Sequence, residues 1–184
     1  MRSSYKASLV GAAALLIAVC LVAGGVAVLG VYNVAADDSH FGLTHSLIAY
    51  VRGRSVAVRS AAIAVPKLSD PRMVAAGVSD YDEMCTSCHL APGLAENEMR
   101  PGLNPKPPTL ASSPRGNAAE QFWIVKHGIK MSGMPAWGIT HSDAEIWNIV
   151  AFLQKLPSLS PAQYRAAVAS ALGHHDHDHM DMDH

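Results

Sequence analysis

Apolar positions along the chain form one long run followed by shorter segments with helical spacing. Residues 9–31 contain no charged residue, and a helix of that length measures ~34 Å, which is enough to cross a bilayer. Further along, apolar residues recur every three or four positions, and no segment alternates with period two for long enough to predict a strand. The pattern predicts an all-α protein in which a single transmembrane helix precedes a small helical domain.

Charged residues on either side of the apolar run predict its orientation. Arg2 and Lys6 precede the run, whereas Asp37 and Asp38 follow it, so the positive-inside rule places the N-terminus in the cytoplasm. The alternative is a cleaved signal peptide with a cleavage site at residues 34–36, although the apolar part of a signal usually has only ~7–15 residues. We favour an uncleaved anchor. With either an anchor or a cleaved signal peptide, the rest of the chain is exported across the membrane.

Caps and helix breakers predict the elements that follow. Residues 41–65 are predicted to be mainly helical, with arginines that contact either solvent or anionic lipid. The next helix begins near Asp70 or Ser79, and the Pro- and Gly-rich residues 91–117 predict an ordered loop. The helical segments after this loop are 118–127, which Gly128 ends, 142–156, which Ser142 and Glu145 begin with a capping box, and 161–172. The predicted organisation is an anchor (1–36), a helical connector (37–68), a domain (69–157), a C-terminal helix (158–173) and a tail (174–184).

The pentapeptide Cys85-Thr86-Ser87-Cys88-His89 predicts the chemistry of the domain. Two cysteines one helical turn apart, followed directly by a histidine, have the spacing for covalent haem attachment, in which each thiol adds to one vinyl group and His89 can bind the iron. A thioredoxin-like site would need a βαβ pattern, and a structural zinc site would need two further ligands at short spacing. The sequence has neither, and we therefore predict one covalently bound haem c.

The stretch from about residue 70 to 157 resembles the class I mono-haem cytochromes c. Gly77 and Tyr81 stand eight and four residues before the first cysteine, as in that family, where the glycine lets the first and last helices cross closely and the aromatic packs at the crossing. Phe152 resembles the matching aromatic of the last helix. The similarity extends to membrane-anchored bacterial cytochromes and to the cytochrome domains of cbb3-type oxidases. It implies that Pro107, Pro108 and Leu110 cover the histidine side of the haem.

Met134 is the predicted second axial ligand of the iron. The resemblance implies this role for Gly133-Met134-Pro135, and the backbone agrees, because Pro135 favours an extended conformation at Met134 and Gly133 allows a tight turn before it. The rival Met131 lacks such restraint and is expected to pack nearby. Ligation by histidine and methionine raises the reduction potential relative to two histidines, so we expect a positive potential.

For other residues near the predicted site, the sequence gives weaker evidence of a role in haem binding. His127 and His141 are rival ligands that we interpret as surface histidines. Trp123 either donates its indole N–H to a haem propionate or only packs in the core, and Trp147 is expected to be structural. Cys20 lies in the apolar run, where it is interpreted as a small hydrophobic residue.

These observations predict an electron carrier rather than an enzyme, and no catalytic residue is assigned. The formal net charge of −1 argues against a nucleic-acid partner. We expect a single-pass protein of the bacterial inner membrane with its haem domain in the periplasm, which passes single electrons between respiratory partners such as a dehydrogenase, an oxidase or another cytochrome. The alternative is a five-coordinate haem sensor or weak peroxidase, if Met134 does not bind the iron.

The C-terminal tail has a composition of its own. It contains His174, His175, His177, His179 and His184, interspersed with aspartates and methionines. Imidazole, carboxylate and thioether together suit copper, nickel or zinc. The tail is therefore a candidate metal-binding segment, and metal handling is a third functional hypothesis after the electron carrier and the five-coordinate haem protein. The alternative is that the tail is an inert polar segment or a purification tag.

Overall fold

The computed structural model describes residues 2–38, 40–113 and 116–178. None of these residues lies in a β-strand, so the predicted all-α class is confirmed. The chain divides into two units, Met1–Asp38 and Ser39–His184, and each is described by itself.

The first unit consists mainly of helix α1, Arg2–Val28. Its stretch Tyr5–Val28 has a mean hydropathy of 2.6, and among the described residues it is the one helix long and apolar enough to cross a membrane. A signal sequence near an N-terminus has the same properties. The helix ends three residues earlier than the apolar run, and Gly30 follows it with a φ of 63°, a left-handed conformation that is typical of helix ends.

The second unit begins with the predicted connector, which the structure makes part of the domain. Helix α2, Gly42–Ser60, packs against a later helix, α5, Ala118–His127. Val56 and Ser60 are the buried residues of α2, with exposed fractions of 6% and 3%. The connector is therefore not a free linker along its whole length.

The core of the second unit is built on two crossing helices, α3 (Pro71–Met84) and α6 (Asp143–Leu153). Gly77 lies at the crossing, where a Cβ atom would collide with the backbone carbonyl of Asn148. Tyr81 and Phe152 pack beside it, with ring centroids 5.3 Å apart. The close crossing that the family resemblance implied at Gly77 is thus present, because only a residue without a side chain allows this approach.

The predicted helix boundaries follow from local caps. Asp70 begins α3 by accepting a hydrogen bond from the Arg72 amide at 2.8 Å, which decides between the two predicted starts. Ser142 and Glu145 form the predicted capping box of α6. Gly128, with a φ of 64°, ends α5 as predicted. Each of the two N-caps, Asp70 and Ser142, stabilises its helix by ~0.5–2 kcal/mol.

The last helix, α7, is longer than predicted and belongs to the same core. It runs over Pro161–Asp178, so its backbone continues past the expected end at residue 172. Tyr164 is 3% exposed, and its hydroxyl donates a hydrogen bond to the Asp82 carboxylate of α3. This hydrogen bond and the burial of the Tyr164 ring stabilise the packing of α7 against α3.

Candidate functional site

The cysteine motif begins at Cys85, directly after α3, and continues through a short helix, α4, Thr86–His89. The amides of Cys88 and His89 both donate to the Cys85 carbonyl, at 3.2 and 2.8 Å. Cys85 is buried, Cys88 is half-buried, and neither is part of a disulfide. The fold therefore presents two unpaired thiols on one turn with the imidazole directly after them, which is the arrangement that covalent haem attachment requires.

The environment of Cys85 argues against a redox dithiol. Burial, with smaller contributions from Asp80 and Cys88, raises the pKa of the Cys85 thiol to about 12. Reactive cysteines of disulfide oxidoreductases have a lowered pKa, because the thiolate is the attacking species. Cys85 has the opposite property and fits a structural or cofactor-attaching role.

His89 is oriented by the proline-rich loop, which contains the residues that the resemblance places over the histidine side of the haem. Its Nδ1 lies 2.9 Å from the carbonyl oxygen of Pro108, so an Nδ1–H donates to that carbonyl and Nε2 becomes the ring nitrogen available to a metal. Burial lowers the pKa of His89, the Arg100 guanidinium lowers it further, and the bond to Pro108 acts in the opposite direction. A lowered pKa favours the neutral imidazole, which is the form that binds iron.

Arg100 is a site residue that the sequence did not reveal. It is only 6% exposed, and its Nε donates to the Cys88 carbonyl at 2.9 Å. Its Nη2 donates to the Pro107 carbonyl at 2.7 Å and to the Thr109 hydroxyl at 2.8 Å. Nη1 pairs with Glu96. One buried guanidinium thus joins the cysteine motif to the loop that holds His89.

Met134 lies half-buried against the hydrophobic core. Its amide donates to the Ser132 hydroxyl at 3.2 Å, and its carbonyl accepts from the Ile129 amide at 3.2 Å. Gly128 approaches the same segment so closely that a Cβ atom there would lie 2.7 Å from the backbone of Met134 and Pro135. The thioether is therefore positioned by a tight loop that is bonded within itself.

Met131, the rival methionine, is 98% exposed and has a φ of 58°. The expectation that it packs near the site is wrong, because the turn that positions Met134 directs this residue outward. Gly133, by contrast, lies against the Leu103 side chain, so the methionine loop meets the loop that holds His89.

The rival histidines are placed in other surroundings. His127 is exposed and lies against Trp123, with ring centroids 5.0 Å apart. His141 is half-buried beside Trp137, with centroids 5.5 Å apart. Trp147 stacks on Phe122 at 4.2 Å, as expected for a structural residue.

The tail is only partly within the described residues. The backbone of His174, His175 and His177 continues α7, whereas His179 and His184 lie outside the described residues. Elsewhere in the described part of the chain no group of three or more histidine, cysteine or carboxylate side chains is arranged to hold a metal ion.

One comparison with known proteins gives a match. Residues 72–153 match the family model described as cytochrome c oxidase, cbb3-type, subunit III. No curated protein and no solved structure matches the chain. The matched segment begins inside α3, ends with α6, and includes the cysteine motif and both methionines. The domain implies a covalent haem c and electron transfer through it. Residues 72–153 are therefore a class I mono-haem cytochrome c domain.

Proposed function

We propose that Cys85 and Cys88 bind one haem covalently and that His89 and Met134 are its axial ligands. The observation that carries this proposal is the bond from His89 Nδ1 to the Pro108 carbonyl at 2.9 Å, which leaves Nε2 of the residue that follows the two unpaired thiols available to the iron. A haem at this position supplies an iron that exchanges one electron at a time. His89 and Met134 would hold the iron and would leave no coordination position for a substrate, so the protein would act as a carrier.

We further propose that α1 anchors the protein in the bacterial inner membrane and that the haem domain lies in the periplasm. The charges around α1 support this orientation. The partners are then redox proteins at the same membrane: a dehydrogenase or another cytochrome as donor, and an oxidase or another cytochrome as acceptor. Anchoring raises the local concentration of the carrier near such partners without any additional contact.

The haem proposal is tested on the full chain produced in a host that attaches haem c. We expect pigment that acidified organic solvent does not extract, and an absorption band near the red edge that arises from methionine bound to ferric iron. Replacement of Met134 by Ala should abolish that band and lower the midpoint potential, whereas the control Met131→Ala should change neither. Extractable pigment would contradict covalent attachment, and a band that survives Met134→Ala would contradict methionine ligation.

The same spectra decide the alternative function. A wild-type iron that lacks the methionine band and binds carbon monoxide readily would be five-coordinate. The protein would then be a sensor or weak peroxidase rather than a carrier.

For the tail we propose binding of copper, nickel or zinc. Histidine, aspartate and methionine make up residues 174–184, and the helical backbone of α7 carries His174, His177 and Asp178 at spacings of three and four residues. Calorimetric titration of the full chain and of a chain ending at residue 173 should show binding only in the former. Equal titration curves would contradict the proposal.

A further inference from the structure

Helix α2 has two apolar faces, and only one of them packs on the domain. Val56 and Ser60 face the core. A second set of residues recurs with helical spacing on the opposite side, at intervals of four, three, one, three and four positions. We call this set the outer stripe, and it consists of Leu43, Leu47, Tyr50, Val51, Arg54 and Val58.

The outer stripe is exposed along its whole length. Leu43 is 84% exposed, Leu47 60%, Tyr50 67%, Val51 56% and Val58 61%. Single exposed apolar residues are common on protein surfaces. Five of them on one face of one helix, with Arg54 between Val51 and Val58, form an extended apolar band, which marks a surface that another phase or molecule covers.

The charge of α2 indicates what covers the outer stripe. The helix contains Arg52, Arg54 and Arg59, and the segment from residue 42 to 60 has no acidic residue. Arg59 is bonded to the Ser55 hydroxyl at 2.8 Å. A helix that combines an apolar face with exclusively positive charge is typical of helices that lie in the interface of an anionic bilayer.

The chain itself keeps α2 near a membrane. Residues 29–41 join the end of α1 to the start of α2. A segment of that length spans at most ~45 Å when fully extended, so an anchored α1 confines α2 to the neighbourhood of the lipid headgroups. The outer stripe meets lipid at a high effective concentration, and modest affinity is sufficient for docking.

We propose that the outer stripe of α2 docks on the anionic lipid surface of the membrane that holds α1. The apolar side chains enter the boundary between headgroups and acyl chains, and Arg54, which lies within the outer stripe, attracts anionic headgroups. Because α2 packs on α5 within the haem domain, docking holds that domain at the membrane in a limited range of orientations. The inference rests on the proposed anchoring through α1.

The experiment uses the full haem-containing chain in vesicles of phosphatidylcholine with or without phosphatidylglycerol. A single cysteine is introduced by Leu47→Cys in a Cys20→Ala background and labelled with an environment-sensitive fluorophore. The matched control is His45→Cys, which lies two residues away on a different side of α2 and is also exposed. We expect brominated acyl chains to quench the label at position 47 several-fold more than at position 45, and more strongly with phosphatidylglycerol present.

A second pair of variants tests the charge. Replacement of Arg54 by Gln should reduce the ratio of docked to free α2 roughly fivefold in the anionic vesicles. The control Arg72→Gln, at an exposed arginine of α3, should leave the ratio unchanged. An unchanged ratio in Arg54→Gln would show that anionic headgroups do not attract the outer stripe.

Three results separate the failure of this inference from the failure of the proposed function. Equal quenching at positions 47 and 45, or none at either, overturns the inference when haem colour and vesicle association are intact. Loss of vesicle association overturns both the anchor and the inference. Labelling of a Cys20→Ala chain without an added cysteine shows that Cys85 and Cys88 are free, which contradicts only the haem proposal.

Discussion

The loop that holds His89 and the loop that holds Met134 are stabilised in different ways. On the histidine side, the buried Arg100 bonds to segments on both sides of it in the sequence, the Cys88 carbonyl and the Pro107 carbonyl. On the methionine side, bonds between near neighbours such as Ser132 and Met134 dominate. The position of the imidazole therefore depends on one long side chain, whereas the position of the thioether depends on the conformation of a short backbone segment.

This difference predicts that a substitution can displace one of the two loops without displacing the other. A substitution that removes the guanidinium should disturb His89 and leave the methionine loop in place. A substitution that changes the backbone at Gly128 should have the opposite selectivity. The four predictions below test this separation in order of decreasing effect.

Replacement of Arg100 by Met should have the largest effect. It leaves the buried carbonyls of Cys88 and Pro107 without their donor, and we expect the free energy of unfolding to fall by ~3 kcal/mol. Urea unfolding of the haem-containing chain, followed by absorbance, measures the loss. The control Lys106→Met removes an exposed cation that pairs with the same Glu96, and should cost little. Equal losses in the two variants would show that Arg100 acts only through its surface ion pair.

Replacement of Gly128 by Ala should displace the methionine loop. The residue has a φ of 64°, and a Cβ atom would lie 2.7 Å from the Met134 carbonyl, so we expect a loss of ~2 kcal/mol. The absorption band of methionine-bound iron should weaken while the haem stays attached. Gly102→Ala is the control, because a Cβ atom added there would have no other atom within 4 Å. A full-strength band in Gly128→Ala would contradict the proposed dependence on backbone geometry.

Replacement of Ser132 by Ala should have a smaller effect on the same loop. It removes the acceptor of the Met134 amide, and we expect a loss of ~1 kcal/mol together with a measurable change in midpoint potential. Ser158→Ala is a matched control, because both hydroxyls donate at 2.7 Å to a carbonyl three residues earlier, and only Ser132 also bonds Met134. The same potential in both variants would show that this bond does not position the thioether.

Acidification should weaken the histidine side through Glu96. Hydrogen bonds from Lys106, and then from Arg100, lower the pKa of Glu96. Its contribution to stability is therefore present above the ordinary carboxyl pKa of ~4.3 and is lost as the pH falls through the lowered folded value. The stability difference between wild type and Glu96→Gln should shrink across this window, which urea unfolding at a series of pH values measures. Glu98→Gln, which removes a carboxylate from the same loop, is the control.

Much of the fold was predictable because its causes are local. The start of α6 follows from the reciprocal bonds between Ser142 and Glu145, which need only four consecutive residues in the right order. The end of α5 follows from Gly128 in the same way. The cysteine motif is equally local, since one helical turn brings Cys85, Cys88 and His89 together.

Other features depend on contacts between distant segments and had no signature in the sequence. Tyr164 bonds Asp82 across 82 positions, so the attachment of α7 to α3 was not expected. Arg100 looked like one polar residue in a proline-rich loop, and only the folded loop surrounds it with four acceptors. Met131 differs from Met134 by three positions, and only the turn between them decides which of the two is buried.

The sequence by itself determined the all-α class, the apolar helix α1, the capped helices and the cysteine motif, because each depends on the residues of one continuous segment. The tertiary structure alone decided how His89 is oriented, which methionine faces the core, and that α2 packs on the domain while exposing a second apolar face. These properties depend on contacts between carbonyls, side chains and helices that are far apart in the sequence. The spacing of residues within one segment does not specify such contacts.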